Sequence, residues 1–261
     1  MPSSPRLQQH ATRVAFFIPG FAIAAWAPVV PFAKARAGLD EATLGMVLLC
    51  LGAGSLVAMP LAGALAARQG CRRGMAVASL LICAVLPSLA WLSGPVALGL
   101  VLFVFGAAMG AMDCAMNLQA VVVEREDGRP LMSGFHGFYS VGGFAGAAAM
   151  TLLLSLGVPL WLACAAAAAL LLVLLAVAAP HWRGERVARD TPAFAWPHGV
   201  VLLIGAACFV MFLAEGAMLD WGAVFLDEAR GMDAARAGIG YVGFSLAMTG
   251  MRLGGGGGGG G

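Results

Sequence analysis

Long stretches without Lys, Arg, Asp or Glu divide this sequence. Four of them cover residues 14–33, 42–67, 74–112 and 130–182. A helix that crosses a bilayer needs about 20 consecutive apolar residues, so each stretch is long enough for one or two crossings. Inside lipid, backbone N–H and C=O groups must be paired within the protein, and helices pair them along their own length. The chain is therefore predicted to be an all-α integral membrane protein.

Composition excludes the main classes of soluble protein. Charged residues make up 11% of the chain, hydrophobic residues 61%, and the mean hydropathy is +0.91. A soluble domain is typically about 25% charged, so this chain is not expected to be a cytosolic enzyme, a disordered chain or a nucleic-acid binder. Its six cysteines are scattered singly and show no metal-ligand spacing. We expect no disulfide framework, no metal site and no cofactor.

Turn signals divide the apolar stretches into eight expected spans. Ser93-Gly94-Pro95 separates the third span from the fourth, and Gly157-Val158-Pro159 separates the fifth from the sixth. A seventh span is expected from about Val200 to Leu226, and an eighth begins near Gly238. The predicted organisation is a cytoplasmic N-terminus over residues 1–13, a six-helix bundle over 14–180, a cytoplasmic linker over 181–199, and two further helices over 200–253.

The distribution of basic residues predicts the orientation in the membrane. With a cytoplasmic N-terminus, the inner segments hold eleven basic residues: Arg6, Arg13, Arg68, Arg72, Arg73, Arg125, Arg129, Arg183, Arg186, Arg189 and Arg252. The outer loops then hold four: Lys34, Arg36, Arg230 and Arg236. Basic residues concentrate in cytoplasmic loops. We therefore expect a multi-pass protein of the bacterial inner membrane with its N-terminus inside.

Two eight-residue segments repeat 193 positions apart (231 against 38). They are GLDEATLG at residues 38–45 and GMDAARAG at residues 231–238. Asp40 and Asp233 hold the same place in the two copies, where a carboxylate suits a helix N-terminus. Six spans, a linker and a recurrence of the first two spans indicate a protein built from two six-helix halves.

The C-terminal residues do not fit this plan. Residues 254–261 are eight consecutive glycines, which have no packing role in a membrane helix. The repeat places them where the eighth span should lead into its cytoplasmic loop. We interpret them as a truncation or a sequence artefact, with a natural flexible tail as the alternative.

The loop between the second and third spans resembles the signature of the major facilitator superfamily, G-x-x-x-D-R-x-G-R-[RK]. Gly63, Arg68, Gly70 and Arg72 match it. Ala67 stands in place of the acidic residue, and Cys71 in place of an arginine. The segments MDCAMNLQ, ER, SGFH and LAEGAMLDW are similar to a bacterial subgroup related to sugar permeases such as the fucose permease. They cover residues 112–119, 124–125, 133–136 and 213–221.

This resemblance implies twelve helices in two bundles around a central cavity that opens alternately to each side. Spans one, four and seven would line the cavity. The family's loop signature holds the bundles together when the cavity faces outward. Because Ala67 replaces the acidic residue of that signature, Arg68 and Arg72 have other interpretations. They are helix caps, contacts to lipid phosphates, or membrane anchors on the cytoplasmic side.

Ionisable residues within the spans are candidates for function, because burying them in lipid is costly. On span four, Gly106, Gly110, Asp113 and Asn117 share one helical face at i, i+4, i+7 and i+11. The glycines would let a neighbouring helix approach closely. Asp113 and Asn117 are interpreted either as a proton or substrate site, or as a structural pair between spans four and five.

Span seven and the start of span five add three candidates. Glu215 lies near the middle of span seven. Asp220 follows five residues later, about 140° around the helix, so the two do not share a face. His136 is interpreted as a partner of Asp113 or Glu124, or as an interfacial histidine with a structural role.

The leading hypothesis is a secondary transporter that moves a small polar solute, such as a sugar, with protons. It would act as a monomer in the lipid bilayer and is not expected to bind nucleic acid. One alternative is an intramembrane enzyme, but H-E-x-x-H and G-x-S-x-G motifs are absent from the sequence, and no catalytic residue is assigned. A second alternative is a truncated half that transports nothing.

The first prediction concerns topology. Reporter fusions at Arg186 and at Gly94 should score as inside and outside respectively, because the basic residues are divided eleven to four. The opposite pattern would contradict the orientation.

Overall fold

The helices of a computed structural model follow the apolar stretches of the sequence. The structure describes residues 4–184 and 198–255. The predicted linker residues 185–197 and the glycines at 256–261 lie outside the described residues. The helices are α1 (Pro5–Trp26), α2 (Val30–Ala37), α3 (Glu41–Gln69), α4 (Cys71–Ser88), α5 (Pro95–Asp127), α6 (Met132–Ser155), α7 (Leu160–Ala178), α8 (Val200–Val224), α9 (Ala234–Ala237) and α10 (Ile239–Gly255).

Seven helical segments in the described parts of the chain are long and apolar enough to cross a membrane. They are Pro5–Ala37, Glu41–Gln69, Cys71–Ser88, Pro95–Asp127, Met132–Ser155, Leu160–His181 and Val200–Ala229. These ranges confirm the predicted all-α membrane fold. The expected eighth span corresponds to α10, which has 17 residues and is shorter than each of those seven segments. Gly254 and Gly255, expected to lie in the glycine tail, are the last residues of α10.

The two copies of the repeat adopt the same local structure. Gly38 and Gly231 both have a φ of 64°, a left-handed conformation that glycine adopts without strain. Asp40 then caps α3 by accepting a hydrogen bond of 2.8 Å from the backbone N–H of Thr43. Asp233 also caps its helix, α9, but accepts from the N–H two residues on, that of Ala235, at 2.8 Å. Hydrogen bonds from Thr43 lower the pKa of Asp40 below its ordinary value.

Glycines bring four helices of the first six spans, α1, α3, α5 and α6, into close contact. Gly142 of α6 lies against the backbone of Phe17 in α1, and Gly20 of α1 lies against the carbonyl of Tyr139 in α6. On α5, Gly106 and Gly110 lie against Leu51 and Ser55 of α3. The sequence predicted this close approach of a neighbouring helix at Gly106 and Gly110.

Helices α1–α7 form one bundle, called the N-terminal bundle, and α8–α10 pack against it. α1 lies at the centre of the bundle, where Phe16 and Trp26 have no exposed surface. The C-terminal helices contact it mainly through α10 on α6, with α8 and α9 against the short turn Ala27–Val29 that follows α1. In contrast, residues 200–214 of α8 are all exposed.

A substitution in α6 tests the glycine contacts. In Gly142→Ala, the added Cβ would lie 3.0 Å from the Phe21 nitrogen and closer still to the Phe17 carbonyl. Overpacking of this kind costs about 1–3 kcal/mol, so the thermal midpoint in detergent should fall. Gly134→Ala in the same helix is the control, because no atom lies within 4 Å of its Cβ position. An equal fall for both variants would contradict a role for close packing.

Candidate functional site

A cavity of about 270 Å³ lies between the N-terminal bundle and the C-terminal helices. Side chains from five helices line it: Ile23, Asp113, His136, Tyr139, Phe212, Glu215, Gly216, Leu219 and Tyr241. Three of the candidates from the sequence, Asp113, His136 and Glu215, therefore share one space. They come from α5, α6 and α8, so three separate helices supply them.

Asp113 is positioned by its own helix and by the start of α6. The Asn117 side-chain amide donates to the Asp113 carbonyl oxygen at 2.9 Å and to its carboxylate Oδ1 at 3.3 Å. This pair lies within α5 and does not bridge two spans. His136 is close enough to interact electrostatically with the Asp113 carboxylate. The imidazole also contacts the Phe16 ring edge-on, with centroids 5.1 Å apart.

Glu124 was the other expected partner for His136. In the structure its carboxylate binds the start of α6. Its Oε2 accepts hydrogen bonds of 2.6 Å from the backbone N–H groups of Leu131 and Met132. These N–H groups lie at the start of α6 and would otherwise lack helical partners. Glu124 therefore fixes the start of the helix that carries His136.

Glu215 and Asp220 have different surroundings, as their spacing on α8 predicts. Glu215 lines the cavity, whereas Asp220 lies near the indole of Trp26. The Trp26 Nε1 and the Asp220 Oδ1 are both buried, and the two side chains interact across the boundary between the bundle and α8–α10. Thr151 Oγ1 on α6 is also buried, without a hydrogen-bond partner among the described residues. These buried polar atoms belong to helices on both sides of the boundary between the bundle and α8–α10.

The sequence reasoning missed the aromatic part of the cavity. The chain has two tyrosines, and both of them, Tyr139 and Tyr241, line this space. Tyr139 lies one helical turn after His136, and Tyr241 is the third residue of α10. The signal that would have found them is their rarity within apolar spans, since a tyrosine brings a hydroxyl group that must be hydrated or paired.

The loop-signature residues lie away from this cavity, at the junction of α3 and α4. Gly63 and Gly70 are buried, and Gly70, with a φ of 82°, separates the two helices. Arg68 and Arg72 are exposed, and their guanidinium groups form no ion pair with any residue in the described ranges. The backbone N–H of Arg72 donates to the Arg183 carbonyl at 2.9 Å.

The opposite end of the molecule, called the Lys34 end, is closed by contacts between the bundle and the C-terminal helices. Ala24, Ala27 and Ala147 form a small buried cluster with Tyr241 of α10. Nearer the surface, the Lys34 ammonium group contacts Glu228, which follows α8, at 2.5 Å. The cavity is thus separated from this end by a packed layer and an ion pair.

Comparison with known families agrees with this architecture. A family model described as Major Facilitator Superfamily matches residues 14–258, which include most or all of each membrane-length segment and every residue that lines the cavity. The chain belongs to the major facilitator superfamily. Membership makes it a multi-pass membrane protein.

Three curated relatives support the assignment over 91–96% of the chain. An uncharacterized MFS-type transporter from Yersinia pestis is 52% identical over 249 residues, 95% of this chain and 65% of the relative. An uncharacterized transporter, y4wD, from Sinorhizobium fredii is 34% identical, over 91% of this chain and 64% of the relative. The membrane protein MosC from Rhizobium meliloti is 30% identical, over 96% and 61%. The chain thus spans less than two thirds of the length of each.

Solved structures support the fold alone. The nucleoside transporter NupG, in its D323A mutant, matches with a TM-score of 0.69 at 16% identity, covering 94% of this chain and 65% of NupG. The unmutated NupG structure matches with a TM-score of 0.66 and the same identity.

Replacement of Asp113 by leucine tests whether its carboxylate stabilises the fold. Asp113→Leu should lower the thermal midpoint in detergent, because it leaves the Asn117 amide without its carboxylate partner. An unchanged midpoint would show that the carboxylate does not stabilise the fold.

Proposed function

We propose that this protein is part of a proton-coupled secondary transporter that carries a small polar solute across the bacterial inner membrane by alternating access. The observation that carries the proposal is a single cavity lined from both the N-terminal bundle and the C-terminal helices. A solute held there contacts both parts, so a movement of one against the other can expose it to either side. The chain acts as a monomer surrounded by lipid.

The cavity contains the groups that proton coupling requires. Asp113 and Glu215 lie on helices of different parts, and His136 lies beside Asp113. Carboxylates and imidazoles within a membrane commonly bind or relay protons. We assign Asp113 as the leading proton site, with Asn117 holding its carboxylate in place. Glu215 and Asp220 are the next candidates.

The solute is proposed to be a sugar or a similar metabolite. Carboxylates, an imidazole and two tyrosines offer hydrogen bonds to hydroxyl groups, while Phe212 and the tyrosine rings offer flat apolar surface. Such a mixture suits a ring that carries several hydroxyl groups. The resemblance to fucose-type permeases supports this solute class. So does the name of the nucleoside transporter NupG, since a nucleoside also contains a sugar ring.

The proposed orientation places the N-terminus in the cytoplasm. In that orientation the Lys34 end faces outward. The cavity described above would then be closed from the outside, and Gly63, Arg68, Gly70 and Arg72 would form a cytoplasmic loop.

The coupling role of Asp113 is tested by Asp113→Asn in cells that express the complete gene. The variant keeps the shape of the side chain but removes the proton-binding group. We expect loss of concentrative uptake while downhill exchange of the solute survives, because exchange needs no net proton movement. The measurement is accumulation and exchange of a radiolabelled sugar identified by a growth or uptake screen, at matched protein abundance.

Asp227→Asn is the matched control, because Asp227 lies outside the cavity lining. Normal accumulation by Asp113→Asn would remove Asp113 from the coupling mechanism and leave Glu215 as the next residue to test.

A further inference from the structure

An apolar groove of about 360 Å³ lies on the outer surface of the N-terminal bundle, between α3, α4 and α5. Small residues form its floor, and among them Ala78 and Ala108 are almost completely buried. Large side chains that are 37–62% exposed form its edges: Leu61, Leu65, Val77, Leu81, Phe103 and Val104. The groove is therefore a depression in the surface that faces lipid.

The groove has the length of one leaflet of a bilayer. Its lining on α3 begins at Ala58 and ends at Gln69, and a helix rises about 16 Å between these positions. Half of the hydrocarbon core of a bilayer is about 15 Å thick. On α4 the lining runs from Arg73, at the same end as Gln69, to Leu81. An acyl chain that spans one leaflet therefore matches the groove.

At the junction of α3 and α4 the groove opens into a second cavity, of about 580 Å³. Gln69 and Arg73 line both cavities, so the two are continuous. Arg68 and Arg72 also line the second cavity. All three arginines are exposed, and none of them forms an ion pair with a residue in 4–184 or 198–255. One end of an apolar groove is thus positively charged.

Acidic residues do not balance this charge. The sequence has no Asp or Glu between Glu41 and Asp113, a stretch that includes every residue lining the groove. The Arg72 N–H donates to the Arg183 carbonyl at 2.9 Å, and the Arg183 side chain is already paired with Glu126. The basic cavity therefore attracts an anion, whereas a zwitterionic headgroup would bring a second cation next to three arginines.

We propose that the groove and the basic cavity, together called the lipid site, bind one phospholipid whose only charge is its phosphate, such as phosphatidylglycerol. One acyl chain lies in the groove, and the phosphate lies among Arg68, Arg72 and Arg73. In the orientation proposed above, this lipid belongs to the cytoplasmic leaflet, where basic pockets between helices bind anionic headgroups. The lipid site lies on the outside of the bundle and shares no residue with the transport cavity.

The lipid site differs from ordinary anchoring of basic residues at a membrane surface. Anchoring depends on net charge, so any exposed arginine at this end would contribute to it equally. A built site instead depends on both of its parts, the arginines that line the basic cavity and the shape of the groove. Separate substitutions in each part distinguish the two cases.

The headgroup part is tested by native mass spectrometry of the protein produced from the complete gene. Two lipids with the same acyl chains are added to the detergent solution, palmitoyl-oleoyl phosphatidylglycerol and palmitoyl-oleoyl phosphatidylcholine. We expect preferential retention of phosphatidylglycerol. Arg73→Gln should weaken its binding about fivefold, the scale of one basic residue at an anionic surface.

Arg125→Gln is the matched control, because Arg125 is an exposed arginine near the end of α5 that lines neither cavity. Its lipid binding should equal that of the unchanged protein. Equal retention of the two lipids, or an equal loss in Arg73→Gln and Arg125→Gln, would overturn the proposal.

The groove part is tested by Ala62→Phe, which fills the groove without changing any charge. We expect loss of the bound phosphatidylglycerol, because its acyl chain no longer fits. Ala64→Phe is the control, since Ala64 is an exposed residue of the same helix outside the groove. The thermal midpoint in lipid-free detergent checks that each variant is folded, and Ala58→Leu at the far end of the groove replaces Ala62→Phe if that variant is not.

Retention of phosphatidylglycerol by a folded groove-filled variant would overturn the proposal. So would a dimer in the spectra that the same substitution abolishes, because the groove would then hold a second copy of the chain. The measurement needs no solute and no proton gradient. Its outcome is therefore independent of the coupling test on Asp113→Asn.

Discussion

Close contact between helix backbones is the interaction on which the rest of this structure depends. Lipid chains are as apolar as leucine, so burying apolar side chains between helices gives little driving force in a membrane. Association then relies on van der Waals contact, and small residues permit it. In this protein Gly20 and Gly142 join α1 to α6, and Gly106 and Gly110 join α5 to α3. The α1–α6 contact also places Tyr139 and His136 beside the cavity. They lie about one and two helical turns before Gly142.

The polar groups within the membrane distinguish the interior of the N-terminal bundle from its boundary with the C-terminal helices. At the N-terminal end, the Gln119 amide donates to Thr12 at 3.0 Å and its oxygen accepts from the Arg183 N–H at 3.0 Å. The Trp182 indole donates to the Ala11 carbonyl at 3.0 Å. These bonds lie within the N-terminal part and hold its segments together.

The boundary with the C-terminal helices is different. Trp26 Nε1, Thr151 Oγ1 and Asp220 Oδ1 are buried there, and the Trp26 and Asp220 side chains interact across it. Burying polar atoms costs free energy unless each is hydrogen-bonded, so this contact is less favourable than an apolar contact of the same area. An interface that must separate, as the proposed alternating access requires, is expected to be of this kind. Within the described residues, the ion pair that crosses this boundary is that of Lys34 with Glu228, at the Lys34 end.

The sequence by itself determined the membrane class, the all-α fold, the places where helices begin at Asp40 and Asp233, and the two glycines of α5, Gly106 and Gly110, at which a neighbouring helix approaches. These features depend on local composition and on the periodicity of one helix. The tertiary structure decided which side chains share a space. It brought Asp113, His136 and Glu215 together with both tyrosines, directed Asp220 to Trp26, and paired Lys34 with Glu228, 194 positions away. Spacing within one helix fixes a face, but the partner of that face depends on how separate helices pack, and no local pattern records it.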